Sequence, residues 1–550
     1  MLLFRNLRRK SIYLSFFLGF ALLGIYISFE PTFSSNFQNL QTDPGDTRIV
    51  HYFMEHSYRF IFSESYQFEL WSPGFYYPFR NALALSENLL GAAPFYWALR
   101  FFLEPSLSYQ FWLCFIFLLN YLSMFSLLRY FNIRNIFVLI MFSYLFAFNL
   151  PRLIQIGHQH LMPQFYTPLS FLFLFRFFDY DKIRYFYAFL IFAYLQFLAS
   201  IYLGWFLLLA LFIMIPLLFI SRKYRLVFMR NLFSKKLAYI LLSIGCFGIM
   251  MFLTFKPYLE INKLVGGRNF FEVEFMLPRL SSYFFFPKEH LFYSGFFNTI
   301  LNSFDKNHLL AEHYMFPGLF LYVSALLSVG MLCKKNFYLK KEKTLIKIFL
   351  LLYFMIFLFS LKVGKFSLWK LIHSNFPGGK GIRAVTRIHL IMNFFLVISS
   401  ALLLNRIFKN ITISYALPLF LLLFSFIILE SYYKSPSFPI KPVELRISRL
   451  VERIEKYSCQ ISYLKVENSY IDEIDAMWAG LRTNTRVVNG YSGGVPPYYI
   501  NALQVSSINK VLSWIFFKAH KNEVNGKNFC YLAKENDSYQ LVYSQKIYLK

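Results

Sequence analysis

The chain has 550 residues, 57% of them hydrophobic, 22% aromatic and only 15% charged, whereas soluble proteins carry about 25% charged residues. That composition excludes an ordinary soluble domain. The net charge of +28 would suggest nucleic acid in a soluble protein, but its densest clusters, at 5–10, 222–236 and 334–347, all flank apolar runs. Such placement marks cytoplasmic segments of a membrane protein, and no nucleic-acid partner is expected.

In chain order, residues 11–29 follow a basic head and lack a small-residue cleavage site, which predicts an uncleaved membrane anchor. Residues 30–104 are rich in polar and turn residues. Ten further apolar runs follow, at 107–128, 136–150, 165–178, 185–200, 203–220, 237–255, 315–333, 345–361, 388–404 and 413–429. A helix of about 20 apolar residues crosses roughly 30 Å of hydrocarbon, so about eleven transmembrane helices are expected. The stretch 89–103, with Pro94, is also apolar, and its placement sets the sidedness of everything after it. Only if it does not span do the basic segments 129–134, 179–184, 222–236, 334–347 and 406–409 share the cytoplasmic side with the amino terminus. It is therefore expected as a helix lying on, or dipping into, the outer interface.

The fold class that results is a polytopic α-helical membrane protein: a transmembrane domain over 1–429, with a large first outer loop, and a small extracytoplasmic α/β domain over 430–550. Outer regions fall at 30–105, 151–164, 256–314 and 363–387. Long polar segments converging on one membrane face must be solvated or packed on protein, and together they most economically form a site. In the tail, a Pro-containing linker at 435–442 precedes a helical pattern at 444–456, and 538–548 reads as strand. Cys459 and Cys530 both lie there. Pairing between them requires an oxidising compartment, and spacing does not decide it.

Candidate chemistry begins in the first outer loop with Thr42-Asp43-Pro44-Gly45-Asp46-Thr47. Aspartates in Pro-Gly turns often only bond their own backbone. Shortly after a span, however, such a carboxylate is placed to bind a divalent cation or to take a proton from an acceptor hydroxyl. Further on, Ser86-Glu87 suits the first turn of the interfacial helix, with Glu87 favoured by the helix dipole or acting on substrate. His158 and His160, in Gly157-His158-Gln159-His160, are a weak zinc signal; as neutral imidazoles they suit a phosphate or a sugar hydroxyl, or simply cap the interface. Glu312 stands just before a span. The run 376–387 combines a glycine-rich turn with Lys380, Arg383 and Arg387, suited to a phosphate held by arginine, or to cations snorkelling at a helix end. No Walker motif, dinucleotide fingerprint or nucleophile elbow occurs, so nucleotide-driven chemistry has no support.

Taken together, the Gly45-Asp46-Thr47 turn, the stretch from Tyr77-Pro78 to Ser86-Glu87, the Gly157 to His160 turn, Glu312 before Pro317-Gly318, Arg383 to Arg387, and Asn489-Gly490-Tyr491-Ser492-Gly493 with Pro496 resemble the GT-C class of membrane glycosyltransferases. The likeness is greatest to bacterial relatives of protein mannosyltransferases and aminoarabinose transferases, and it covers nearly the whole chain. It implies an enzyme of the bacterial inner membrane that moves a sugar, with inversion, from a polyprenyl-phosphate donor to a glycan, lipid or protein acceptor on the outer face. It also implies Asp46 or Asp43 as the base, or as ligands of a divalent cation such as Mg or Mn. Arg383 and Arg387 would hold the donor phosphate, with Glu87, His158, His160, Glu312 and Tyr491 lining the substrate. The acids stand as Asp-Pro-Gly-Asp rather than as the adjacent pair of the mannosyltransferases, which leaves the choice between Asp43 and Asp46 open. Two rivals remain, a lipid-linked sugar transporter or flippase and a noncatalytic component of envelope polysaccharide assembly. Charge lies mostly at the ends of spans rather than within them, and no repeat is visible, which disfavours a transporter.

Overall fold

A computed structural model describes residues 2–295, 311–466, 469–499, 507–518, 524–535 and 538–548. The side chains of the basic head at 5–10 and the 296–310 part of the third outer region lie outside the described residues. Each of the eleven predicted apolar runs contains a helix. Seven helices among the described residues are long and apolar enough to cross a membrane: Pro105–Tyr130, Ile136–Gly157, Ile201–Leu218, Lys236–Val265, Lys340–Ser360, Val385–Phe408 and Ile413–Ser431. Shorter apolar helices occupy Ser15–Ser28, Ile183–Ala199 and Leu319–Met331.

Burial separates the inner helices from the outer ones. The apolar windows of Ile136–Gly157 and Val385–Phe408 are 94% buried, whereas that of Lys236–Val265 is not buried at all. Leu241, Leu242, Ile249, Phe252 and Leu253 all stand exposed along this last helix. A soluble protein does not leave so large an apolar face in water. The chain is a helical membrane protein, with Lys236–Val265 turned toward lipid.

Several boundaries differ from the sequence expectation. The first outer loop, expected to be polar and turn-rich, contains the helix Asp46–Phe62. Its His, Glu and Arg residues mask an apolar face: His56 is buried between the Tyr66 hydroxyl and the Leu70 carbonyl, and Glu55 is held by Arg59, Arg100 and Tyr96. Of the expected interfacial helix at 89–103, only Ala93–Arg100 is helical, far too short to cross a membrane. The helix from Lys236 continues to Val265, past the expected end at 255 and through Pro257.

The segment at 435–442 is not a free linker. Ser437–Pro439 pairs antiparallel with Asn39–Gln41, next to the aspartate turn, and a helix begins at Ile440 with Pro442 in its first turn. Glu430, expected to open the tail, belongs instead to the last turn of Ile413–Ser431. Its carboxylate accepts from the Leu319 and Phe320 amides at 2.6 and 3.1 Å. It thereby caps another helix.

The tail has the expected α/β character. Its sheet runs Arg486–Val487, Ile461–Leu464, Asn528–Glu535, Ser538–Lys546, the last two forming an antiparallel hairpin and the others parallel. The segment 30–105 extends this structure: the Val487 amide donates to the Gly74 carbonyl, and the Tyr76 and Tyr77 amides donate to Asn489 and Val487. Cys459 and Cys530 form a disulfide, with Cα atoms 5.7 Å apart and 71 residues of sequence separation. A loop of that length corresponds to about 4 kcal/mol in the chain-entropy account. Cys459→Ser is therefore expected to make the tail markedly more protease-sensitive, and alkylation mass spectrometry of unreduced native protein should find both thiols blocked.

Candidate active site

The aspartate turn divides its two acids between two tasks. Asp43 Oδ1 accepts from the Gly45 and Asp46 amides at 2.7 and 3.2 Å, closing the turn that starts the helix Asp46–Phe62. Thr47 reinforces it, its hydroxyl donating to the Gln41 carbonyl at 2.9 Å and meeting Thr42 Oγ1 at 2.5 Å. The Thr42 amide donates to the Pro436 carbonyl at 2.6 Å. Asp46, freed from this work, points into a cluster of side chains drawn from distant parts of the chain.

His158 Nε2 lies 3.6 Å from Asp46 Oδ2 and 3.6 Å from Glu312 Oε1. Glu312 is fixed in turn by Arg387, at 2.7 Å, and by the Gln155 amide at 3.2 Å. Arg387 also donates to His160 Nε2 at 3.3 Å and lies over the Tyr202 ring at 5.0 Å. The Tyr491 side chain, from the tail turn, lies close enough to the Asp46 carboxylate for the two to influence each other's proton affinity. Four apolar helices bring these groups to one end of the bundle: His158 follows Ile136–Gly157, Tyr202 opens Ile201–Leu218, Glu312 precedes Leu319–Met331, and Arg387 opens Val385–Phe408.

The electrostatics separate the acids. Burial, then the neighbouring Asp43 charge, raise the Asp46 carboxyl above the usual aspartate range, with Arg387 acting in the opposite sense. Burial would also raise Glu312, but the charge and hydrogen bonds of Arg387 hold it down at about 2. Burial and Arg387 together push His158 down to about 4, and His160 well below the ordinary histidine value. At neutral pH the cluster thus holds one committed ion pair, two neutral imidazoles and one carboxylate of elevated proton affinity.

Arg387 is 6% exposed and Glu312 13% exposed, so neither tolerates loss of the other. Arg387→Ala is expected to cost about 3–5 kcal/mol by stranding a buried carboxylate. The double change Arg387→Met with Glu312→Gln should restore most of that stability, measured by thermal denaturation in detergent. Because the folded Glu312 value is depressed, its contribution is complete above the unfolded value of 4.5 and is lost only as pH falls toward about 2.

The remaining sequence candidates fall in distinct places. Glu87 is not in the first turn of the Ala93–Arg100 helix. Its carboxylate accepts from the Ile201 and Tyr202 amides at 2.7 and 3.4 Å, and burial lifts it to about 7 against those bonds. It therefore positions Tyr202 rather than facing the acids. The side chain of Arg383 is exposed, and its amide and that of Ala384 donate to the Tyr202 hydroxyl at 3.3 and 3.4 Å. Among the described residues no group of three or more His, Cys, Asp or Glu side chains is disposed to hold a metal. Asp43 Oδ1 is occupied by backbone amides, which leaves its second oxygen and the Asp46 carboxylate as the remaining acceptors of the turn.

Sequence reasoning missed Tyr202 and Gln155. Tyr202 carries only one signal, its place at the head of an apolar run behind Ser200, and Gln155 lies within a span prolonged past its expected end. The fold and the site define a class, a helical membrane protein with a polar acid–imidazole–guanidinium cluster at one end of its bundle. No family model matches the chain, and no curated protein matches it.

Proposed function

We propose that this protein is a membrane glycosyltransferase of the GT-C kind, moving a sugar from a polyprenyl-phosphate donor to an acceptor on the extracytoplasmic face. The observation that carries the proposal is the meeting of Asp46, a carboxylate of raised proton affinity, with the buried Arg387–Glu312 pair and two neutral histidines at the bundle end. A base and a fixed cation in one site suit transfer from a phosphate leaving group.

In the proposed reaction Asp46 takes the proton of an acceptor hydroxyl. The freed oxygen pair attacks the anomeric carbon from the face opposite the phosphate, forming the new glycosidic bond with inversion. The bond from the anomeric carbon to the phosphate oxygen breaks, and its electrons leave with the polyprenyl phosphate. Arg387, and Arg383 at the rim, stabilise that charge, while His158 and His160, uncharged, donate or accept hydrogen bonds without competing for the proton. Tyr491 orients the Asp46 carboxylate. Asp46 and Asp43 would hold a divalent cation such as Mg or Mn, which would supply positive charge to offset that of the phosphate. Asp46 is the base in this proposal, and Asp43, whose Oδ1 is taken by backbone amides, is the turn-former.

The topology belongs to the same proposal: eleven crossings in the bacterial inner membrane, with the amino terminus cytoplasmic and the tail outside. The disulfide supports an oxidising compartment for the tail, and the basic clusters support the opposite side for the loops. The test is mass spectrometry of envelope glycolipids and glycoproteins from cells lacking the protein, complemented with the native chain or with Asp46→Asn. The expected outcome is a sugar that disappears and that only the native chain restores. No change on deletion would remove the enzymatic reading.

A further inference from the structure

The aspartate turn of the site carries an aromatic surface. Tyr470 opens the tail helix Ser469–Thr483, and Tyr491 reaches over from the tail turn that follows. Their rings lie 5.5 Å apart with 36° between planes. The Tyr470 ring also lies against the aspartate turn: a Cβ on Gly45 would stand 3.1 Å from it. Tyr470 is 36% exposed, and its hydroxyl has no hydrogen-bond partner among the described residues. Tyr76, Tyr499 and Trp514 nearby are buried and belong to the packing between loop and tail.

From this placement we infer that Tyr470 and Tyr491 form a stacking platform for a neutral pyranose ring, so that the acceptor is a saccharide whose attacking hydroxyl is delivered to Asp46. The inference rests on the glycosyltransferase reading of the Asp46 site and deepens it by naming the acceptor class. The chemistry selects a sugar on two counts. A pyranose presents an apolar C–H face to the negative face of an aromatic ring, and its hydroxyls donate to the two carboxylates beside the platform. Those carboxylates, Asp43 and Asp46, disfavour a uronate laid on the platform. Gly45 keeps the ring close to the acid, since any side chain there would have to displace Tyr470.

The test uses the full chain in nanodiscs and saturation-transfer-difference NMR with methyl α-D-mannopyranoside, methyl β-D-glucopyranoside, glucuronic acid and an N-acetylated Ser-Thr tripeptide as separate probes. A neutral pyranoside should receive saturation at its ring protons from native protein and from Tyr470→Phe. Tyr470→Ala should lower that signal about fivefold, the size expected of one aromatic contact, and glucuronic acid should give the weaker response. Equal signals from native and Tyr470→Ala, or saturation of the peptide alone, would overturn the platform. Transfer assays separate this failure from that of the underlying reading. If Asp46→Asn abolishes transfer while Tyr470→Ala leaves acceptor KM unchanged, the platform falls and the enzyme stands; if Asp46→Asn transfers normally, both the base and the saccharide delivery to it are refuted.

Discussion

Asp46→Asn is expected to lower sugar transfer by about 10²–10⁴-fold, the range that general-base catalysis supplies, while leaving membrane abundance unchanged. The substitution keeps the shape and the Tyr491 contact but removes the proton acceptor. Its effect on stability runs the other way. The Asp46 carboxyl is raised above its ordinary value by burial and by Asp43, so the stabilising effect of protonation is complete below the unfolded value and is lost as pH rises through the folded one. At neutral pH the ionised side chain costs stability, and Asn should melt at the same temperature as native protein or higher.

The pH profile offers a second reading of the same residue. Transfer should fall as acid protonates Asp46, with an acid limb above the ordinary aspartate range. Glu312, held down at about 2, lies below that limb and should not shape it. A variant that lost activity and abundance together would mark Asp46 as structural instead.

Asp475→Ala should have a large effect on stability, because it unpairs two guanidinium groups at the joint between loop and tail. Arg48 and Arg446 both bond the Asp475 carboxylate, Arg446 at 2.7 Å, and the Arg48 and Asp475 side chains are 3% and 0% exposed. Removing the acceptor leaves Arg48 buried without its counter-charge, a loss of about 3–5 kcal/mol. Arg48 lies in the first turn of the helix that Asp46 opens, and the Trp478 indole donates to the Arg48 carbonyl at 3.3 Å. The tail and the helix Asp46–Phe62 are thus joined through this ion cluster. The expected result is a lower melting temperature and proteolytic release of the tail, with transfer falling in parallel. Asp475→Asn, which retains acceptors but not charge, should fall between. An undiminished melting temperature in Asp475→Ala would show that the strand pairing of Asn39–Gln41 with Ser437–Pro439 and the loop–tail backbone bonds suffice.

The membrane character of this protein was legible because lipid imposes a single rule: a crossing segment must be long, apolar and helical. That rule located a helix in every one of the eleven runs. It gave no purchase on the first outer loop, where the helix Asp46–Phe62 carries Glu55 and His56 on its buried side. Those polar groups are satisfied by Arg59, Arg100, Tyr96 and Tyr66, partners that no local pattern announces.

By itself, then, the sequence determined the apolar helices, the basic clusters that flank them, the α/β nature of the tail and a short set of polar residues capable of chemistry. Only the tertiary structure decided which of those residues meet. It turned Asp43 into a turn-former and Glu87 into a helix cap, joined Cys459 to Cys530, and brought Asp46, His158, Glu312, Arg387 and Tyr491 together across more than four hundred residues of chain. Helix formation follows from local spacing and solvent, whereas the pairing of buried charges depends on contacts that exist only after the helices have packed.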